Sequence, residues 1–600
     1  MPINKNLMDL NGNKLARLRK SLQISGTDIF ILPCYDLHLG EYVPGHWRII
    51  EWLTGFTGSS ATVVVTDSFA GLWTDSRYFI QAERQLSGTG FMTMKPELSS
   101  WTGYQDFIRE NVEPGMKIGV DGRIFPVRDF RKLKENLKDK DVFIDTECNP
   151  VDEIWSARPP LPRAQAFDFP VEFAGKGRDE KISGVRKLMD QQGVDFHLLT
   201  SPDDIMWLLN IRGSDLKYSP VLLSFALIGN DQILLFVDES GIPPKTASEF
   251  DTSGIVMLPY EETSEIISGV VRGYSVLIDP RTTSVSIFNS LSGASRIMED
   301  ITFPARLKAV KNKTEIENIG RVMIRDGVAL TRFFHWLENN LGSSALTESS
   351  LSSMLEEFRS QQEGYRGPSF APIIAFNENS ALPHYDPSAG TAAEIGDRGI
   401  ILVDSGGQYA GGTTDITRTI AVGSPTQRQK TDFTLVLKGH INLALAKFPA
   451  GTKGCQLDIL ARRALWESGL NYGHGTGHGI GYYLNVHEGP QGISPLASSA
   501  AIESGMLLSN EPAIYREGEY GIRIENIVLC YEDEISEYGC FLRFDTLSLC
   551  YIDKSLIELS LLDQREISWL NKYHSEVFHR LSPYLTENER IWLREKTEGI

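Results

Sequence analysis

The sequence predicts a mixed α/β and α+β chain: two related α/β domains, near 1–150 and 151–310, then a third region over 311–600. Three observations predict it. An internal repeat organises the first half. A capped amphipathic helix opens a new region near Lys311. Beyond residue 380, Gly-rich hairpins carry pairs of acids on either side of a histidine-bearing loop.

The repeat comes first. Arg19-Lys20, followed by Gly26-Thr27-Asp28-Ile29-Phe30-Ile31-Leu32, returns as Arg186-Lys187, followed by Gly193-Val194-Asp195-Phe196-His197-Leu198-Leu199. Arg, Lys, Gly and Asp keep their spacing. Trp52-Leu53 with Gly58-Ser59 returns as Trp207-Leu208 with Gly213-Ser214. The first match is offset by 167 and the second by 155, so the first copy carries twelve extra residues around Cys34–His46. Each copy reads as a helix, a Gly C-cap, an apolar strand, the WLxxxxGS stretch and further strands such as Ala61–Thr66 and Val221–Ile228.

In the third region Thr314 and Glu317 fit a capping box. Ile316, Ile319, Met323, Leu330, Phe334, Leu337 and Leu341 follow at helical spacing and read as core. A second amphipathic stretch, Leu351–Phe358, leads into Gly- and Pro-rich sequence. No low-complexity linker separates the regions, so the domains are expected to be packed rather than strung loosely.

Composition excludes several functions. A net charge of -19 argues against a bulk grip on nucleic-acid phosphate and against a basic membrane-binding face. The longest apolar stretch, Pro220–Val237, is broken by Gly229, Asn230 and Asp231, and falls short of a membrane span. The N-terminus lacks the apolar core of a signal peptide. Six cysteines in 600 residues, none in CxxC, fit a reducing cytoplasm.

Acids and histidines concentrate late in the chain. Gly399–Asp404 reads as a strand ending in an acid, SGGQYAGGTT as a Gly-rich connection, and Asp415–Ile420 as a returning strand. Folded about residues 409–410, this hairpin sets Asp404 opposite Asp415. Glu511 and Glu525 lie symmetrically about Gly518, which gives a second hairpin with a second acid pair. Like charges held together this way repel unless a cation lies between them. Between the hairpins runs Gly473-His474-Gly475-Thr476-Gly477-His478-Gly479, then His487-Glu488. Taken singly, each acid reads as a solvated edge charge and a lone histidine as a partly buried ring. Taken together, four carboxylates and one imidazole suit two divalent ions such as Mn²⁺, Co²⁺ or Zn²⁺. HExxH, GxxxxGK[ST], GxSxG and GxGxxG are absent from the sequence. Asp36, His38 and Glu41 in the extra segment have ligand residue types but read as a polar loop.

At these residues the chain resembles a known family. VDSGGQYAGGTTDITRT, GHGTGHGIGYYLNVHEGP, NEPAIY and GIRIEN are similar to the pita-bread metallopeptidases, and within them to the long, three-domain Xaa-Pro aminopeptidases. Trp73–Phe79, Trp207–Asp215, Lys438-Gly439-His440 and Glu566–Tyr573 extend the resemblance across nearly the whole chain. It implies two creatinase-like N-terminal α/β domains ahead of a pita-bread catalytic domain. It implies Asp404, Asp415, His478, Glu511 and Glu525 as ligands of two divalent ions, most often Mn²⁺. Glu511 would also serve as general base, attack coming from a hydroxide bridging the metals. His384, in LPHYDP, would assist proton movement; His474 and His487 would contact substrate near the scissile bond. Substrate contact extends by the same resemblance to His384 and Arg77, and Arg523 would neutralise ligand charge from behind.

The implied reaction is removal of an N-terminal residue from peptides with proline at position two, by a cytoplasmic homodimer with no nucleic-acid or membrane partner. One departure is Ala513-Ile514-Tyr515 where the family usually has an aromatic after its NEP-G pattern. Prolidases usually carry one N-terminal domain, methionine aminopeptidases normally carry neither, and creatinase lacks the ligands. Non-catalytic scaffolds of this fold usually lose ligands, whereas all five are present here.

Overall fold

The two copies of the repeat fold into two sheets of the same topology. In the computed structural model, which describes residues 5–96, 103–342, 345–386, 392–496 and 500–600, the first sheet contains β1 (Ile29–Pro33), β2 (Ala61–Thr66), β3 (Ala70–Thr74), β4 (Met92–Met94), β5 (Lys117–Val120) and β6 (Phe143–Asp145). The second contains β7 (Phe196–Leu199), β8 (Phe225–Ile228), β9 (Ile233–Phe236), β10 (Ile255–Leu258), β11 (Ser275–Ile278) and β12 (Arg296–Glu299). Their strand orders, β4-β3-β2-β1-β5-β6 and β10-β9-β8-β7-β11-β12, are equivalent. So is every pairing sense: the two hairpin contacts of each sheet are antiparallel and its other three contacts parallel. Helices α1 (Lys5–Ser25) and α2 (Arg178–Gln192) precede the first strand of each copy, and Gly26 and Gly193 follow them with φ of +65° and +62°. That left-handed turn is why Gly recurs there. β1, β8, β9 and β11 are buried along their whole length, which is why they read as continuous apolar runs.

The two copies meet about a pseudo-two-fold axis. Asp121-Gly122-Arg123 after β5 and Asp279-Pro280-Arg281 after β11 are equivalent. Each arginine folds back on its aspartate, with Nε to Oδ1 at 2.9 Å in both. Pro126 and its equivalent Ser284 form an antiparallel bridge with each other. The flanking bonds are reciprocal: Val127 N donates to Thr283 O and Val285 N to Phe125 O, at 3.0 and 2.9 Å. Likewise Arg128 N donates to Pro280 O and Ser286 N to Gly122 O, both at 2.9 Å.

The extra segment of the first copy is not a solvated polar loop. Asp36 and His38 are buried. Asp36 accepts from the backbone N–H groups of His38 and Gly40 at 2.9 and 3.3 Å. His38 reaches the second copy, with Nδ1 2.8 Å from Thr200 O and Nε2 2.8 Å from the Tyr260 hydroxyl. Burial holds its imidazole down to about 4, so it is neutral.

The chain divides into two compact units, 1–169 with 176–304 and 170–175 with 305–600. In the second, α3 (Lys313–Asn340) starts two residues earlier than the Thr314–Glu317 reading. Asn312 is the N-cap, and it exchanges capping bonds with Glu315. The two frames overlap in sequence, and extended backbone at Asn312 selects the first. α4 (Glu348–Ser360) follows. β13 (Ile373–Phe376), β14 (Gly399–Ser405) and β15 (Ile416–Val422) form one sheet in that order. A second sheet runs β16-β23-β22-β19-β17-β18, from β16 (Lys447–Pro449), β17 (Gly477–Gly479), β18 (Glu488–Ile493), β19 (Leu507–Asn510), β22 (Asn526–Ser536) and β23 (Gly539–Thr546). β20 (Ala513–Arg516) and β21 (Tyr520–Arg523) form a ribbon between β19 and β22 in sequence. Helices α5 (Gln427–Ala444), α6 (Gly454–Trp466) and α7 (Gln564–Leu581) complete the frame. Phe333, Ile401, Phe433, Ile522, Leu570 and Val577 share one core, so α7 packs into the same core as β14, β21 and α5.

All six cysteines are free. Among the described residues no helix is long and apolar enough to cross a membrane.

Candidate metal centre

Four strand ends converge on one acidic cluster. On the first hairpin Asp404 pairs with Thr417, not with Asp415. The ladder continues through Gln408–Thr413 and Tyr409–Gly412, so the chain turns at 410–411 rather than 409–410. One residue in the turn moves pairing by two, and side chains two apart share a face. Asp415 therefore approaches from a diagonal position. On the second hairpin the pairs Asn510–Asn526 and Ala513–Arg523 bracket Glu511 and Glu525, setting them opposite each other about Gly518.

The loop between the hairpins delivers the imidazole. A Cβ on Gly477 would lie 2.0 Å from Ser509 O, so glycine is what lets this strand close on β19. His478 Nδ1 is 3.0 Å from Gly479 O, which leaves Nε2 facing the acids. That Nε2 lies 3.4 Å from Asp415 Oδ2 and 3.5 Å from Glu511 Oε1. Asp415, His478 and Glu525 each offer a ligand atom within 4.8 Å of the others. Glu511 accepts from Ser509 Oγ at 3.0 Å, and Glu525 Oε2 from Thr417 Oγ1 at 2.7 Å.

The electrostatics call for a cation. Burial pushes the Asp404 carboxyl up to about 6, although Arg523 opposes it. Burial also raises Glu511, and it raises Glu525 well above the usual range with help from Asp415, Glu511 and Asp404. Burial disfavours charge on His478, yet Asp415 and Glu511 override it and hold the imidazolium up to about 9. Asp404 Oδ1 and Glu525 Oε1 are buried without a hydrogen-bond partner among the described residues. Orphaned carboxylate oxygens in a carboxylate–imidazole cage are the donors that hard or borderline divalent cations take. These residues fit such ions.

The remaining candidates sort clearly. Arg523 forms an ion pair with Asp404 and donates to Tyr515 Oη and, at 3.1 Å, to Thr417 Oγ1. His474 Nε2 is 2.9 Å from the same Tyr515 hydroxyl. The His487 ring lies edge-on to His478, with centroids 4.3 Å apart. His384 is half-buried and follows Pro383, whose carbonyl accepts from Arg523 at 3.4 Å; Pro387 of the same motif lies outside the described residues. Arg77 belongs to the other unit and is bidentate to Asp75, with Nε–Oδ1 at 2.8 Å and Nη2–Oδ2 at 2.7 Å. This is the same Asp-x-Arg clamp seen at Asp121 and Asp279. Two residues escaped the sequence reading. Thr417 lies two along from Asp415 on the same strand face, a legible signal, whereas Tyr515 registered only as a departure from pattern.

Known proteins resemble this chain. A family model described as metallopeptidase family M24 matches residues 317–532, and one for its C-terminal region matches 540–600. Creatinase/prolidase N-terminal domain models match 14–154 and 157–315. A probable Xaa-Pro aminopeptidase P of Laccaria bicolor is 37% identical, covering 98% of this chain and 93% of its own. Xaa-Pro aminopeptidase 1 of Dictyostelium discoideum is 37% identical over 98% of this chain and 96% of its own. The crystal structure of X-prolyl aminopeptidase from Caenorhabditis elegans, described as a cytosolic enzyme with a di-nuclear active site, superposes with a TM-score of 0.93. It is 35% identical and is covered over 98% of this chain and 99% of its own. The chain belongs to metallopeptidase family M24, in the Xaa-Pro aminopeptidase branch that carries creatinase-type domains ahead of the catalytic one.

Proposed function

We propose that this enzyme removes the N-terminal residue from peptides whose second residue is proline. The carrying observation is the cluster of Asp404, Asp415, His478, Glu511 and Glu525, with Asp404, Asp415 and Glu525 buried and two carboxylate oxygens orphaned. These five residues would hold two divalent cations, Mn²⁺ before Zn²⁺ or Co²⁺. Bound there, such cations would supply hydroxide as the nucleophile and polarise the scissile carbonyl.

The protein's own groups do the rest. Glu511, whose proton affinity burial raises, takes the proton released during attack. His487, beside His478, hydrogen-bonds the developing oxyanion. His384 passes a proton or orients the substrate. His474, aimed by Tyr515, contacts the peptide near the scissile bond. Arg523 keeps Asp404 ionised and oriented. An Xaa-Pro bond is a tertiary amide with no N–H. A site whose nucleophile is hydroxide, assisted by carboxylates and histidines, has no need of that donor. Substrate contact by Arg77 rests on the resemblance alone, since Asp75 already engages its guanidinium. The same reading takes 1–150, 151–310 and 311–600 as the domains, a homodimer as the assembly and the cytoplasm as the compartment.

The test supplies Arg-Pro-Pro, Arg-Ala-Ala and Ala-Pro with Mn²⁺ and follows the free amino acid. Cleavage of the first, little of the second and slow or no cleavage of the third is expected. Preference for the dipeptide would make it a prolidase, and inactivity with metal bound would favour a binding role.

A further inference from the structure

We infer that Glu348 is the positioning residue that holds the His384 loop in its working geometry. Its side chain is fully buried, in the first turn of α4, and far in sequence from every motif of the metal site. Four neutral donors converge on it. Oε1 accepts from Phe376 N at 2.6 Å and Asn379 Nδ2 at 3.0 Å. Oε2 accepts from the Tyr385 hydroxyl at 2.7 Å, Ala393 N at 2.6 Å and Asn379 Nδ2 at 3.1 Å. The N-terminal end of its own helix adds partial positive charge. A buried carboxylate is tolerated only when hydrogen-bonded in this way.

These four donors lie within residues 376–393, the segment that contains His384, and Tyr385 is its immediate neighbour. The opposite side of that segment touches the catalytic ribbon. Gly521 N donates to Ser380 Oγ at 2.7 Å, and a Cβ on Gly521 would lie 1.9 Å from Ser380 O. Pro383 O accepts from Arg523, the partner of Asp404. Glu348 thus braces from behind a loop whose front face meets the metal ligands' supports.

The inference rests on the proposed role of His384, and the experiment separates the two. Glu348→Gln places an amide donor among donors. It is expected to lower kcat about tenfold, with KM and metal content within about twofold. Backbone amide exchange over 376–386 should quicken. In a His384→Ala background, itself down at least about tenfold, Glu348→Gln should cost nothing further. Tyr385→Phe removes one donor and serves if Glu348→Gln does not fold; its loss should be about threefold and also vanish with His384→Ala. Independent, multiplying losses or unchanged exchange at 376–386 would overturn the inference. Normal kcat in His384→Ala would sink the proton role instead, leaving exchange to judge Glu348.

Discussion

The carboxylate clamps of the first unit and the acidic cluster of the second treat charge in opposite ways. In the first, carboxylates close on their own neighbours: Asp75, Asp121 and Asp279 each clamp the arginine two residues on, and Asp36 is satisfied by backbone N–H groups. In the second, four acids share one arginine and one histidine, and two of their oxygens find no donor among the described residues. The closed pairs are locally complete and serve geometry. The open cluster is destabilised in isolation, so binding energy for a cation is stored in the fold.

The sharpest way to break this contrast is to remove one acid from each unit. Asp415→Ala should cut turnover by roughly a thousandfold and reduce bound metal, as loss of a preorganised charge at the reacting centre does. Asp121→Ala should leave turnover within about twofold while costing about 1–3 kcal/mol of stability, because Arg123 keeps Asp152 as a second partner. Turnover assays, metal analysis and thermal melts on the two variants decide it. Equal losses of activity would erase the distinction.

A second test sharpens it through pH. Carboxyls raised by folding bind protons more tightly when folded, so they reduce stability as pH rises from about 4 through their raised values. Asp404 spans 3.8 to about 6, and Glu525 extends well above its ordinary 4.5. His478, raised from 6.5 to about 9, contributes stability below 6.5 that is lost as pH passes 9. All three slopes run the same way. The chelated protein should therefore lose melting temperature from this cluster between pH 5 and 9, and Glu525→Gln should flatten that slope by roughly several degrees. Saturating Mn²⁺ should abolish the difference in the wild-type protein. An unchanged slope in the variant would remove Glu525 from the strained set.

The smallest effect lies in the first unit and has the opposite sign. His38 is held neutral, with its value lowered from 6.5 to about 4. Its penalty is absent above 6.5 and grows as pH falls through that window. At pH 5, relative to pH 7.5, wild type should lose about 2 kcal/mol that His38→Gln does not lose. Parallel acid profiles for the two proteins would place His38 in water.

Much of this was legible beforehand, for reasons that differ by residue. Glu511 and Glu525 were readable as opposed because a tight hairpin about Gly518 fixes register locally. The Asp404 hairpin was misread by one residue in its turn, since SGGQYAGGTT offers several glycines for the bend. The ligand motifs stood out because each needs glycine or a fixed acid at short range. Glu348 did not, because its donors lie 28 to 45 positions away and its own neighbourhood looks like any helix start. His38 was equally opaque: what buries it, Thr200 and Tyr260, is 162 and 222 positions distant. Local chemistry leaves local signals, and tertiary satisfaction of a polar group leaves none.

The bridge between Pro126 and Ser284 has a consequence for mass action. A surface whose residue meets its own counterpart is self-complementary, the geometry by which two separate identical molecules associate. Here both partners are tethered on one chain, so their encounter is governed by an effective concentration set by the intervening chain rather than by the number of molecules in solution. Dilution, which separates paired molecules, leaves this pair together. Because both copies of this surface are already paired within one chain, association of whole chains is left to another face.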